Sequence, residues 1–301
     1  MRRICQPGNA TVLTQSAWIF RPNSMRIISA NLQHGTPAEG EFSPGDNWLD
    51  LARLFAAYRP DAICLQEVDF YQARSGFQDQ TRALATALKE VTGQDWQHRF
   101  LSFFTGQVAL GVRLPVTLTS RALANQHPLF SANRPLLGGF GVGILTPHPV
   151  RRWVSAKLGA APPRIRIPGP DPRTWKFYGG QTRSLLGAEI VTARGRFLLG
   201  NTHLELGVTT AKRQLIRSWE GLSLLAGKAT PLLVGDMNLR EDVTRALYPY
   251  LTFASSPTFP VSKPRSQIDQ LFAPPTCRVL DIDTIQMPVS DHRALFVDLQ
   301  S

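Results

Sequence analysis

Side chains able to do chemistry recur in this 301-residue chain beside short apolar runs. Asn31 follows Met25-Arg-Ile-Ile-Ser-Ala30, Glu67 follows Ile63-Cys-Leu-Gln66, and Asn201 and His203 follow Phe197-Leu-Leu-Gly200. Asp236 and Asn238 follow Leu232-Leu-Val-Gly235, Asp269 sits beside Ile268 at the start of a run, and Asp291 and His292 come just before the last one. Carboxylates, carboxamides and two histidines without a cysteine form an oxygen-rich donor set, which suits Mg²⁺ or Mn²⁺ better than zinc. A hard cation with histidines is what phosphoryl transfer needs. The cation neutralises phosphate oxygens while a carboxylate or histidine handles the attacking water. Taken singly, an Asp-His pair or an acid after a strand is more often a cap, a turn or a surface salt bridge. Only their joint order carries weight.

Strand-like runs must position these residues. Met25–Ala30, Ala62–Gln66, Gly143–Leu145, Leu185–Val191, Arg196–Asn201, Leu232–Val234, Gln267–Phe272 and Ala294–Leu299 read as strands. Helical spacing appears at Trp48, Leu51, Leu54, Phe55 and Tyr58, over Phe77–Val91, and at Leu215, Ile216, Trp219, Leu222 and Leu225 within Thr209–Ala226. Mixed elements without a repeat or linker indicate one α/β or α+β domain over residues 25–301. In such sheets ligands gather where strands end and loops converge. Residues 151–180 hold five prolines and seven Lys or Arg against one Asp, and read as a basic surface insertion. Residues 1–24 lack periodicity and read as a disordered extension before the first strand.

The ordered set of motifs resembles the endonuclease/exonuclease/phosphatase superfamily of deoxyribonuclease-I-like enzymes. Its motifs here are Ser29-Ala-Asn-Leu-Gln-His34, Leu65-Gln-Glu-Val-Asp69, Gly200-Asn-Thr-His-Leu-Glu205, Val234-Gly-Asp-Met-Asn-Leu239, Gln267-Ile-Asp-Gln270 and Val289-Ser-Asp-His292. The resemblance implies a four-layer sandwich, two mixed β-sheets flanked by helices. It implies a metal site at Glu67 with Asn31 and Asp291, and a base or water-orienting group at Asp236 with Asn238 beside it. It further implies a phosphate-binding His203, an Asp269–His292 dyad in which the carboxylate orients the imidazole, and substrate contacts at Arg183 and Asn201. Arg183 also has a plain reading as a solvated arginine at a strand edge. Val142 departs from the pattern, since the family often carries Asn there.

Composition narrows the substrate class. The net charge is +11, and the three arginines of residues 1–24 leave +8 without them. Such a chain is drawn to polyanions. Its three cysteines are too few and too widely spaced for a disulfide framework or a zinc site, which fits a cytoplasmic home. No apolar run is long enough to span a bilayer, and nothing points to an obligate protein partner. The expected activity is that of a Mg²⁺- or Mn²⁺-dependent phosphodiester hydrolase, a nuclease acting on DNA or RNA. The alternative keeps the chemistry and replaces the substrate with a phospholipid or inositol phosphate. A third reading, a binding module on a decayed scaffold, conflicts with the intact set Glu67, His203, Asp236, Asn238, Asp269 and His292.

Overall fold

Alternation along the central strands sets the layers. In β1 (Ser24–Asn31) Met25 and Ile27 point one way, while Ile28 and Ala30 point the other. In β2 (Ala62–Phe70) Ala62 and Cys64 part from Ile63 and Leu65 in the same manner. Both faces are apolar because both are covered, as central strands of a layered α/β protein require. The structure, a computed structural model, describes residues 24–37, 47–108, 114–115, 138–162, 164–166, 176–178 and 182–301.

The remaining elements follow in chain order: α1 (Asn47–Ala57), α2 (Gln80–Thr92), β3 (Gln97–Thr105), β4 (Leu114–Pro115), β5 (Gly139–Thr146), β6 (Val150–Gly159), β7 (Arg164–Arg166) and β8 (Lys176–Tyr178). Then come β9 (Arg183–Thr192), β10 (Gly195–His203), α3 (Val208–Ala226), β11 (Thr230–Asp236), α4 (Glu241–Leu247), β12 (Thr252–Ser255), β13 (Asp269–Ala273), β14 (Arg278–Ile285) and β15 (Ala294–Gln300). One mixed sheet runs β14-β15-β1-β2-β5-β3-β4 and the other β12-β13-β11-β10-β9-β6, with β7 and β8 paired apart.

Three apolar clusters correspond to three interfaces. Met25, Ile27, Ile144, Leu186, Phe197, Leu199, Val234 and Leu295 fill the space between the sheets. Leu51, Phe55, Leu84 and Leu88 of α1 and α2 cover the outer face of the first sheet, against Ile28, Ile63 and Phe296. Leu215, Trp219 and Leu222 of α3 cover the second, against Leu198, Leu233 and Phe272. The result is the expected four-layer sandwich. Each fully buried Leu, Ile or Phe contributes about 1.5–3 kcal/mol against the entropy of ordering the chain. Among the described residues no helix is long and apolar enough to cross a membrane.

Some elements differ from the sequence expectation. The stretch expected as an insertion from residue 151 begins instead with β6, which pairs along β9 as the edge of the second sheet. Its Arg151 and Arg152 grip the buried Glu189 carboxylate of β9, so these two arginines belong to a strand. Trp153 lies against the inter-sheet core, and the Arg99 guanidinium stacks over its ring. Trp175 of the same stretch lies outside the described residues, as do 1–23 of the expected extension. Ser24 already begins β1. Strand β14 escaped the pattern reading because its residues are mostly exposed or half-buried, as an edge strand allows.

Candidate active site

The inter-sheet core is apolar through its middle and polar at one end. The change follows from the strands' own periodicity. In β10 the inward set Phe197, Leu199 continues to Asn201 and His203, and in β11 the set Leu232, Val234 continues to Asp236. In β13 the inward residues Leu271 and Ala273 are preceded by Asp269. Strand register then aligns them, with His203 beside Asp236 in the parallel pair and Asp236 beside Asp269 in the antiparallel one. The pairing needs Gly235, at φ 143°, because a Cβ there would lie 1.9 Å from the carbonyl oxygen of Thr202.

The facing sheet supplies Asn31 at the end of β1 and Glu67 in β2. Glu67 is a β-bulge with φ 53°, where the register against β5 slips by one residue. By strict alternation its side chain faces the helices. The extra residue breaks that parity and returns Val68 to the helix-facing core. Bulges and left-handed non-glycine residues gather at sites where a side chain must be re-aimed. The Asn31 amide Nδ2 bridges the sheets, donating to Glu67 Oε1 at 3.2 Å and Asp236 Oδ2 at 3.1 Å. The Gln33 backbone N–H in turn holds Asn31 Oδ1 at 3.0 Å.

Asp236 lies at the convergence. His203 Nε2 is 3.7 Å and His292 Nε2 3.9 Å from its Oδ2, while the Asn238 backbone N–H donates to Oδ1 at 2.9 Å. Burial, with the neighbouring Asp269 charge, pushes its carboxyl up to about 7, against the pull of His292. His292 donates from Nδ1 to Asp269 Oδ2 at 2.9 Å. Burial alone lowers a histidine, but the Asp269 carboxylate outweighs it, and His292 stands at about 9. His203 goes the other way. Burial and the cations Arg183 and His292 hold it well below the ordinary range, so it is neutral at pH 7. Glu67 is raised by burial, with the nearby Asp291 charge adding to the rise.

Other expected residues are placed as follows. Arg183 is buried, not solvated at a strand edge. Its guanidinium lies over the Phe103 ring and 4.0 Å from Glu205, and its Nε and Nη1 have no hydrogen-bond partner among the described residues. Asp291 is half-exposed at the mouth, 4.0 Å from His292 Nε2. Asn238 ties one amide N–H to the Leu204 carbonyl at 2.9 Å, closing the gap between β10 and β11. Asn201 corrects the expectation of a substrate contact. It is fully buried and clamps the sheets together, accepting from Gln66 Nε2 and donating to the carbonyls of Leu65 and Gly143. Such amides turn inward because a core strand cannot leave them unbonded.

Sequence reasoning passed over several supporting residues. Gln33 accepts from the Asp291 backbone through Oε1, and Ser290 Oγ accepts from the His292 backbone at 3.0 Å. Phe259 packs its ring on the His292 imidazole at 4.8 Å, and Thr258 donates to Asp269. Gln33 and Ser290 lay inside recognisable motifs, whereas Thr258 and Phe259 lay outside them.

A sequence profile of the Endonuclease/Exonuclease/phosphatase family matches residues 28–292, a span that holds every residue above. The chain belongs to that family. Members of the family are phosphoester hydrolases, and the activity of this one falls in the same class. No curated protein matches it in sequence. Among solved structures it is similar to an endonuclease/exonuclease/phosphatase from Beutenbergia cavernae, at 19% identity and a TM-score of 0.64, covering 93% of this chain and 72% of that one. It is similar to a Bacteroides thetaiotaomicron mannosyl-6-phosphatase, at 16% identity and a TM-score of 0.59, over 92% of this chain and 100% of that one. It is also similar to the human Nocturnin catalytic domain with bound sulfate, at 16% identity and a TM-score of 0.55, over 93% and 95%. At these identities the likeness is one of fold. Val142, where the family often carries Asn, lies wholly within the apolar inter-sheet core.

The family's general use of divalent metals can be tested against the residues present. Glu67, Asp236, Asp269 and Asp291 act electrostatically on one another or on His292, and burial, with repulsion from a neighbouring carboxylate, raises Glu67 and Asp236. Asp236, Asp269 and His292 also present atoms within 4.8 Å of one another, although His292 Nδ1 is already spent on Asp269. An oxygen-rich set with excess negative charge fits a hard divalent cation.

Proposed function

We propose that this family member is a divalent-metal-dependent phosphodiesterase acting on nucleic acid. The observation that carries the reading is Asp236. Its carboxyl at about 7 stands among Asn31, His203 and a cationic His292, all within 3.1–3.9 Å of one oxygen. A carboxylate near the working pH is suited to take a proton, and a cation beside it to meet developing negative charge.

In this reading water attacks the phosphorus while Asp236 receives its proton. The P–O ester bond breaks, and the leaving oxygen departs with the electron pair and is protonated from solvent. The His292 imidazolium and a neutral N–H of His203 hydrogen-bond the phosphate oxygens. Arg183 turns its two unbonded donors to the same anion. Asn238 steadies Asp236 through its backbone N–H. Glu67, Asn31 and Asp291 would hold Mg²⁺ or Mn²⁺, which supplies charge neutralisation at the phosphate. The net charge of +11 supports a polyanionic substrate.

The test is a substrate panel in Mg²⁺ and in Mn²⁺: plasmid, single-stranded DNA, RNA, sphingomyelin vesicles and inositol phosphates. Chelator-sensitive cleavage of nucleic acid is the expected result. Turnover of vesicles or inositol phosphates with intact nucleic acid would replace the substrate class. Full activity in excess chelator would overturn the metal.

A further inference from the structure

The segment between β12 and β13 folds back on itself and reaches the catalytic pair. Thr258 N–H donates to the Ser266 carbonyl at 3.0 Å, and the N–H groups of Arg265 and Ser266 donate to Phe259 at 2.9 Å each. Two further backbone bonds pin this hairpin to the chain around His292. Arg293 N–H donates to the Thr258 carbonyl at 2.8 Å, and Val261 N–H to the Asp291 carbonyl at 2.7 Å. The Phe259 ring closes over the imidazole at 4.8 Å.

Thr258 is fully buried at the centre of these contacts. Its hydroxyl donates to Asp269 Oδ2, the same oxygen that accepts from His292 Nδ1. Asp269 is also fully buried, and its Oδ1 has no hydrogen-bond partner among the described residues. The side-chain donors reaching this carboxylate therefore converge on one oxygen, so each carries half of its hydrogen bonding. A β-branched side chain has few χ1 states, so a threonine with an anchored backbone holds its hydroxyl in place. One residue thus ties the acceptor, through Oγ1, to the chain segment that carries the ring, through its carbonyl.

We propose that Thr258 is a positioning residue for the Asp269–His292 pair, acting through the Asp269 carboxylate. The proposal rests on the phosphodiesterase reading above for its kinetic consequence only. With the hydroxyl gone, a single bond to His292 holds the carboxylate, which can rock about its side-chain axis and carry the ring with it. Small misplacements of a group that acts on the transition state cost turnover more than binding.

The experiment compares Thr258→Val, which keeps shape and loses the donor, with Thr258→Ser, which keeps the donor. The full chain is assayed with saturating Mg²⁺ on bis(p-nitrophenyl) phosphate. Thr258→Val is expected to lower kcat about 10–100-fold with KM within about twofold, and Thr258→Ser to recover most of the loss. In an Asp269→Asn background the valine substitution should cost less than about threefold, because the two residues act in series. Melting curves separate this from a folding defect, since valine at a buried site keeps volume. NMR of the His292 Nδ1 proton reads the geometry without turnover. It should exchange slowly in the wild type and in Thr258→Ser, and rapidly in Thr258→Val. An Nδ1 proton equally protected in all three proteins overturns the proposal, whether or not the substrate is hydrolysed. So does a full additional loss in the Asp269→Asn background. Absence of turnover in the wild type, with the NMR contrast intact, would count against the phosphodiesterase reading alone.

Discussion

Replacing Asp269 by Asn should make the activity loss grow with pH. In the wild type burial lowers His292, but the Asp269 carboxylate, helped by Asp236 and Asp291, outweighs it and leaves the imidazole raised from 6.5 to about 9. That difference corresponds to about 3 kcal/mol in favour of the imidazolium. An amide keeps the shape and removes the charge, so burial returns His292 to its ordinary range or below it. At pH 8 an imidazole at about 9 is roughly 90% charged and one at 6.5 roughly 3%, so protonation alone costs about 30-fold. At pH 6 both are largely charged, and the same substitution costs little through this route. The acidic limb moves as well. Asp269 raises Asp236, whose carboxyl stands at about 7, so Asp269→Asn shifts that limb to lower pH. A bound cation lowers it further in both proteins. The assay is kcat from pH 5.5 to 9.5 on bis(p-nitrophenyl) phosphate at saturating Mg²⁺, with His292 followed by NMR. A wild-type-to-variant ratio that is flat across this range would refute the reasoning, and would leave Asp269 a purely steric part.

Glu67→Gln keeps the bulge and removes the charge, so Mg²⁺ affinity measured by calorimetry should fall at least tenfold and kcat on the order of 100-fold or more. Metal-free protein should lose melting temperature as pH rises from 7 to 9. The loss comes from the raised His292, whose contribution disappears between 6.5 and about 9, while the raised Asp236 has given up most of its own between 3.8 and about 7. His203, depressed, has completed its opposite effect below pH 7. Added Mg²⁺ should restore the loss, and a pH-independent melting temperature would contradict it. Asn201→Leu removes one of the acceptors of Gln66 Nε2 and the amide donors to the carbonyls of Leu65 and Gly143, and should cost roughly 3 kcal/mol in denaturant unfolding. A changed KM with unchanged stability would return Asn201 to the substrate.

Much of the architecture was legible in the sequence because two-sided burial writes continuous apolar runs, as in Ile63-Cys-Leu and Leu232-Leu-Val. Period-2 alternation also carried Asp236, His203 and Asp269 to one face, and the motif order named the same residues. Edge strands were not legible. A strand such as β14, or the arginine-rich start of β6, answers to solvent on one side and needs no apolar run. Nor could sequence tell Asn201 from Asn31. Both follow an apolar run, yet one meets the facing sheet's carbonyls and the other meets Glu67 and Asp236. The same holds for Arg183, whose burial depends on the Phe103 ring from the opposite sheet, and for Thr258, which reaches Asp269 through a hairpin with no periodicity. The residue types of the site are a local property of strand ends. Their protonation is not, because it is set by charges and burial that only the packing of one sheet on the other brings within a few ångströms.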